Sequence, residues 1–264
     1  MRQSYRPDIP PQPYPHRTQI FDHLGLVAGM FEELGIGDVL DHATHQHPEM
    51  RDLTVGEAVK AMVLNGLGCI NQPLYLVSRV FQNKPTSRLI SPRVTPTQLN
   101  DDALGRALDT LYAAGVTELY RLIAATAAQR LGLTPRFAHL DRTSFHVDGR
   151  YNSDEVPDEQ VIHITRGYSR DHRPDLNQVM LELIVEHQAG IPLLMKPRSG
   201  NRSDAQEFGQ MTREHIAQLR IAYGTTYLVA YRALYRGANL QKLSQTPVQW
   251  ITRVPVTLSG ARAA

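Results

Sequence analysis

The sequence predicts an α/β protein in which an all-helical N-terminal half precedes a mixed sheet. Three observations predict it. Apolar residues recur at three-to-four spacing from Phe21 to about Gly132, the period of amphipathic helices. From Phe137 onward the period falls to two, in β-branched and aromatic runs bounded by turn residues, which is the pattern of strands. Helix-like segments then separate the last strands, so those strands require crossovers rather than hairpins.

Composition sets the bounds. The 264 residues suffice for one large domain or two ordinary ones with a sizeable core. A hydrophobic fraction of 42% and a charged fraction of 20% belong to a globular chain. The net charge is +2 and the pI is about 8.7, which permits a nucleic-acid partner without arguing for one. The single cysteine, Cys69, excludes an internal disulfide framework and a multi-cysteine zinc site, and its apolar surroundings predict a packed thiol. No stretch approaches the roughly 20 apolar residues of a membrane span and no signal segment opens the chain, so the expectation is a cytoplasmic protein with no membrane association.

Residues 1–20 form the first expected segment. Pro7, Pro10, Pro11, Pro13 and Pro15 prevent a helix and predict an extended Pro/Arg-rich arm. Residues 21–132 form the helical domain. Leu26, Val27, Met30, Phe31 and Leu34 make its first stripe, ended by Gly35. Thr54 and Glu57 have the spacing of a capping box, with Val55, Ala58, Val59, Met62 and Val63 behind it. Asp101 is the expected cap of a helix stopped at Gly115, and Thr117 of one stopped at Gly132. Two loops here attract attention. Asp41 to His47 carries three imidazoles at metal-like spacing, although a solvated loop satisfies the same pattern. Ser78 to Arg93 carries Arg79, Lys84, Arg88 and Arg93 among Pro, Ser and Thr, suited either to phosphate contacts or to plain solvation.

Residues 133–264 form the sheet-bearing part. Phe137 to Gly149, FAHLDRTSFHVDG, is an apolar run that meets Asp141 and then alternates into an Asp-Gly turn. A carboxylate buried in such a strand needs hydrogen bonds or a cation. Asp141 is therefore either a site of chemistry or the partner of an arginine such as Arg142 or Arg136. Val161 to Thr165 alternates and enters a basic turn. Val179 to His187 reads as a long strand on which Glu182 and Glu186 alternate outward, and Ile191 to Lys196 as its returning partner. Asn201 to Asp204 begins a helix of about 15 residues, with Asp204 as its expected cap. Thr225 to Ala230 is a short buried strand, Leu234 to Leu243 a helix and Val248 to Val254 the last strand.

Three strands paired as a meander, followed by two crossovers through helices, make a mixed sheet of the ribonuclease-H type. The first strand lies centrally and the fourth pairs beside it. A carboxylate on each could hold two divalent ions about 4 Å apart, one activating an attacking oxygen and one stabilising the leaving oxygen of a phosphodiester. Mg²⁺ suits such a set of carboxylates, water and substrate phosphate.

The segments HLDRTSFHVDGRY, GYSRDHRPDLNQ, GNRSDAQEF, YLVAYRALY and WITRVP resemble, in this order, those of bacterial insertion-sequence transposases of the DDE type, in the branch whose N-terminal half is an uncharacterised helical domain. The resemblance runs from roughly Leu24 to Val256. It implies a ribonuclease-H-like core, two Mg²⁺ ions, and cutting and joining of DNA at transposon ends. It also implies DNA as partner and either a homo-oligomer or pairing with a full-length transposase. Asp141 matches the first catalytic, metal-binding Asp. The second belongs to a motif resembling V-A-D-S-A-L-Y, where this chain has Val229-Ala230-Tyr231-Arg232-Ala233-Leu234-Tyr235, so Tyr231 occupies the place of the Asp. The family's third acid, a Glu, lies further downstream, and this chain ends at Ala264 before it. By the resemblance this is a truncated copy. Arg also replaces Ser at positions 142, 202, 232 and 236 of the resembling pattern.

The consequences are chemical. A phenol with a pKa near about 10 is a poor substitute for a carboxylate ligand. Arg142 and Arg232 are expected to bring positive charge towards a place that needs negative charge. The expected copy is catalytically impaired. His139 shares a strand face with Asp141, and its expected role is a hydrogen-bonded core histidine. A non-catalytic reading places Arg166, Arg170, Arg173, Arg198 and Arg202 on a phosphate-contacting face. A third reading, another metal-dependent hydrolase on the same fold, requires a second carboxylate within reach of Asp141.

Overall fold

The computed structural model describes residues 21–45, 52–67, 71–149, 151, 162–167, 173–201, 219–230, 235, 240–241, 244 and 248–254. Among the described residues, seven α-helices come first, with a short 3-10 turn (Pro96–Gln98) before the sixth: α1 (Leu24–Glu33), α2 (Ile36–Ala43), α3 (Val55–Leu67), α4 (Leu74–Phe81), α5 (Thr86–Leu89), α6 (Asp101–Ala114) and α7 (Val116–Arg130). Six strands follow: β1 (Phe137–Val147), β2 (Thr165–Arg166), β3 (Asn177–Glu186), β4 (Pro192–Ser199), β5 (Tyr227–Ala230) and β6 (Gln249–Thr252). The Pro-rich arm, Cys69, most of the helix expected from Asn201 and most of that from Leu234 lie outside the described residues.

The helices close on one core that includes Leu24, Leu64, Val77, Phe81, Leu99 and Leu104, but the first expected stripe is corrected: Leu26 and Met30 are exposed, and Leu24, Ala28 and Phe31 make the buried face of α1. Local chemistry sets the helix ends. Gly35 takes φ 70°, a left-handed conformation that glycine adopts without strain, and its N–H bonds the Glu32 carbonyl at 2.9 Å. It ends α1 and starts α2. The capping box is formed: Glu57 N–H donates to Thr54 Oγ1 at 3.1 Å and Thr54 N–H to Glu57 Oε2 at 2.9 Å. Two expected caps shift. Asn100, not Asp101, caps α6, its side chain accepting from Ala103 N–H at 2.9 Å. Gly115, not Thr117, occupies the cap position of α7. In both cases the helix claims residues that the sequence alone offers as caps, because Asp and Thr also serve in a first turn. At the other end of α7, Arg130 donates to the Glu33 and Glu32 carbonyls at 2.9 and 3.2 Å. Its charge thus stands at the negative end of the α1 dipole.

The sheet runs β2-β3-β1-β5-β6, with β4 also on β3. β1 pairs antiparallel with β3 and parallel with β5. β3 pairs antiparallel with β4, and β5 parallel with β6. A central first strand with a meander on one side and parallel crossover strands on the other is the ribonuclease-H-like order. One expectation changes in detail. The strand expected over 161–165 reduces to the two residues of β2, which shares an edge of β3 with β4. The meander is therefore β1, β3 and β4. Beneath the sheet lies a second cluster, including Ala138, Leu140, Ile184, Leu194, Leu219 and Leu228.

The hairpin between β3 and β4 is pinned by Glu186, which is only 1% exposed. Its carboxylate accepts backbone N–H groups of Gln188 (2.6 Å), Ala189 (2.7 Å) and Ile191 (3.0 Å). Burial works against its ionisation, but backbone amides of Ile191, Gln188, Ala189 and Gly190 together outweigh that and hold its pKa below the usual value. The expectation that Glu186 is solvated is therefore corrected: it replaces water with the amides of its own turn.

The crossing of α2 and α3 depends on a missing side chain. A Cβ at Gly56 would stand 2.7 Å from the Gly37 carbonyl oxygen, whereas one at Gly66, in the same helix, would meet nothing within 4 Å. Gly56→Ala should therefore destabilise the protein by about 1–3 kcal/mol through overpacking. Gly66→Ala should stabilise it by about 0.5–1 kcal/mol through helix propensity. Urea unfolding of the two variants against the parent measures both signs.

Candidate active site

β1 is flanked on both sides, so its alternation sorts residues between two faces of the sheet. Ala138, Leu140 and Arg142 are buried on one face, and His139 and Asp141 are exposed on the other. The expectation of a buried Asp141 is thus corrected, and with it the desolvation cost. Asp141 stands in solvent beside Leu183 of β3 and accepts the Arg142 backbone N–H at 2.8 Å. His139, expected in the core, is exposed on the same face. β5 is described as far as Ala230, which pairs with Leu140, the residue before Asp141. Tyr231, Arg170, Arg202 and Asp204 lie outside the described residues.

The buried charge is Arg142. It is 8% exposed and forms an ion pair with Glu182, which is 0% exposed. Arg198 Nε donates to the other oxygen of the same carboxylate at 3.1 Å. The register places these groups together, with Arg142 across from Glu182 on one side and Lys196 across from it on the other. Two expectations change here. Glu182 is not solvated. Arg142 does not bring its charge to Asp141, because adjacent residues of a strand point to opposite faces. The alternation of β3 was legible but not its direction. Gln178, Met180, Glu182, Ile184 and Glu186 take the buried face, and Val179, Leu181, Leu183 and Val185 are half-buried on the other. When both faces of a sheet are covered, apolar residues no longer mark one inside.

Arg166 is exposed on β2. Arg173 is exposed and forks onto Asp175, with Nε–Oδ1 2.9 Å and Nη2–Oδ2 2.8 Å. That hydrogen bond, with the Arg173 and Arg166 charges, pulls the Asp175 carboxyl down to about 2. Arg198 is turned into the sheet towards Glu182, which takes it from the phosphate-contacting face expected for it. In the helical half, His42 Nδ1–H donates to the Asp38 carbonyl at 2.6 Å. His47 lies outside the described residues.

Among the described strand residues, Asp141 is the only carboxylate on its face of the sheet. No three His, Cys, Asp or Glu side chains among the described residues converge as metal ligands. No helix among them is long and apolar enough to cross a membrane.

Residues 16–125 match a family described as "Domain of unknown function (DUF4277)", which covers less than half of the chain. No curated protein matches. Among solved structures the chain is similar to the piggyBac transposase in a synaptic complex with hairpin DNA, at 11% identity and a TM-score of 0.37, covering 90% of this chain and 43% of that one. It is similar also to the Mos1 transposase in a paired-end complex with the left transposon end, at 10% identity and a TM-score of 0.32, covering 81% of this chain and 62% of that one. The chain thus spans less than two thirds of either. The strand order and register, rather than these loose likenesses, carry the fold assignment.

Two measurements check the site's geometry. Glu182→Gln removes the buried carboxylate that Arg142 and Arg198 share and should cost about 3–5 kcal/mol, while Asp141→Asn, in solvent, should stay within about 0.5 kcal/mol of the parent in chemical denaturation. Asp175 should titrate at about 2 by NMR and return towards 3.8 in Arg173→Gln. Because its pKa is lowered in the fold, the Arg173–Asp175 pairing is complete above the ordinary carboxyl value and is lost as pH falls through about 2.

Proposed function

We propose that this chain is a transposase of the DDE type from a bacterial insertion sequence, a DNA-binding protein whose own metal-dependent strand cleavage and transfer is impaired. The observation that carries the reading is Asp141, exposed at mid-strand on the central strand of a ribonuclease-H-like sheet, with the end of parallel β5 alongside. Five motifs in family order support it, and the second of the family's acids is replaced in the sequence by Tyr231. Asp141 is the group that would ligate Mg²⁺. One carboxylate can share a Mg²⁺ with substrate phosphates but does not supply the ligands for the pair of ions that two-metal chemistry uses. Two-ion stabilisation is worth several kcal/mol, so its loss lowers the rate by on the order of a thousandfold.

A second reading is favoured by the same observation, that Asp141 is the only strand carboxylate on its face among the described residues. The chain acts without chemistry, binding DNA at transposon ends or assembling with itself or with a full-length transposase. Arg166 remains on the exposed surface for such contacts, Arg173 is there but forked onto Asp175, and the counterparts expected at Arg170 and Arg202 are sequence assignments.

Incubation with supercoiled DNA carrying element ends, in Mg²⁺ or Mn²⁺, tests the proposal. The expected result is no metal-dependent nicking above background. Nicking abolished by Asp141→Ala would establish an active enzyme and overturn the impairment. Nicking that survives Asp141→Ala would remove Asp141 from the site altogether.

A further inference from the structure

From Ala58 to Asn100 the chain holds five cations, Lys60, Arg79, Lys84, Arg88 and Arg93, and no aspartate or glutamate. The acids that answer three of them come from elsewhere. Lys60 bonds Glu32 at 2.5 Å, Lys84 bonds Asp22 at 2.7 Å and Arg93 bonds Glu57 at 2.6 Å. Among the described residues Arg79 and Arg88 have no ion pair and no side-chain hydrogen bond, and both are exposed.

Their placement follows from the packing of α4. Val77 and Phe81, each 0% exposed, face the helical core. The opposite stripe is Tyr75, Ser78, Arg79 and Gln82, at the i, i+3, i+4, i+7 spacing of one helical face. Tyr75 is 65% exposed, and Arg79 and Gln82 are exposed with it. A turn over 82–85 leads into α5, where Thr86 and Leu89 are buried and Ser87 and Arg88 face solvent. The surface therefore combines two uncompensated guanidiniums with hydroxyl and amide groups and one open aromatic ring. Phosphate and sugar contacts draw on Arg, Ser, Asn, Gln and Tyr donors of this kind. The stretch itself supplies no carboxylate to repel a polyanion, and Asp22, which lies against its turn, is already paired with Lys84.

We propose that the outward face of α4 and α5 docks double-stranded DNA, with Arg79 and Arg88 on backbone phosphates. This rests on the reading of the chain as a DNA-binding protein and gives that reading a surface on the helical half, on elements other than those that carry Asp141.

Fluorescence anisotropy of the full chain with a fluorescein-labelled random-sequence duplex, in EDTA, tests the assignment. Arg79→Gln/Arg88→Gln should weaken binding about tenfold or more at low salt and reduce the slope of log affinity against log salt by about 2, one ion-release contribution for each lost contact. Arg121→Gln, an arginine already paired with Glu118, should bind as the parent does. All variants should keep the parent thermal midpoint, and Arg79→Lys/Arg88→Lys should retain most of the slope. An unchanged slope in the glutamine double variant overturns the surface. So does an equal loss of binding to polyglutamate, which would reveal a patch for any anion. Because the assay contains no metal and reads no cleavage, absence of nicking at Asp141 leaves its outcome untouched.

Discussion

The sheet depends on a carboxylate that no water reaches. Glu182 lies between Arg142 of the central strand and Arg198 of the outer one, and the three side chains cross β1, β3 and β4 on one face. A buried carboxylate is tolerable only when its charge is answered, and a buried arginine likewise. Neither can be moved alone. A slip of one residue in the β1–β3 register would carry Arg142 to the opposite face from Glu182, break their ion pair and leave Arg198 alone to answer the carboxylate. The apolar residues of β3 could accept either parity, since both faces of that strand are at least half-buried. The ion pair cannot. It therefore fixes which face receives Asp141, and the exposed acid is a consequence of the buried one.

Much of this architecture was legible. The helical half follows from three-to-four spacing, and the Thr54–Glu57 capping box formed as read because both of its side chains bond locally. The meander and the parallel crossover strands follow from element order, and the observed pairing of β1 with β3 and β5 gives them their place. What was not legible depends on partners distant in sequence. Asp141 and Arg142 are neighbours, and nothing local says which one enters the sheet. That is decided by Glu182, forty positions on. Glu186 looked like an outward acid because its ligands are amides of a turn whose geometry the residue types do not reveal.

The same logic sorts the arginines. Arginine in a sequence reads as a phosphate contact, a structural ion pair or simple solvation. Here Arg198 and Arg142 neutralise a core carboxylate, Arg130 stands on the carbonyls that end α1, and Arg173 forks onto Asp175. Only cations that the fold has not already neutralised can meet a polyanion without first breaking an internal pair. That criterion separates Arg79 and Arg88 from the rest of their segment, although all are alike in the bare sequence.

Helix α7 has a role beyond its own length. It packs on α2 and α6 at one side and on β4 at the other. Near its end Arg130 grips the terminal carbonyls of α1. The boundary suggested near residue 132 by the change of periodicity is thus no clean seam. Severing the chain there would strip β4 of the helix that shields it. Load applied to the helical half would be transmitted by α7, like a tie-beam, to the strand that supplies Arg198.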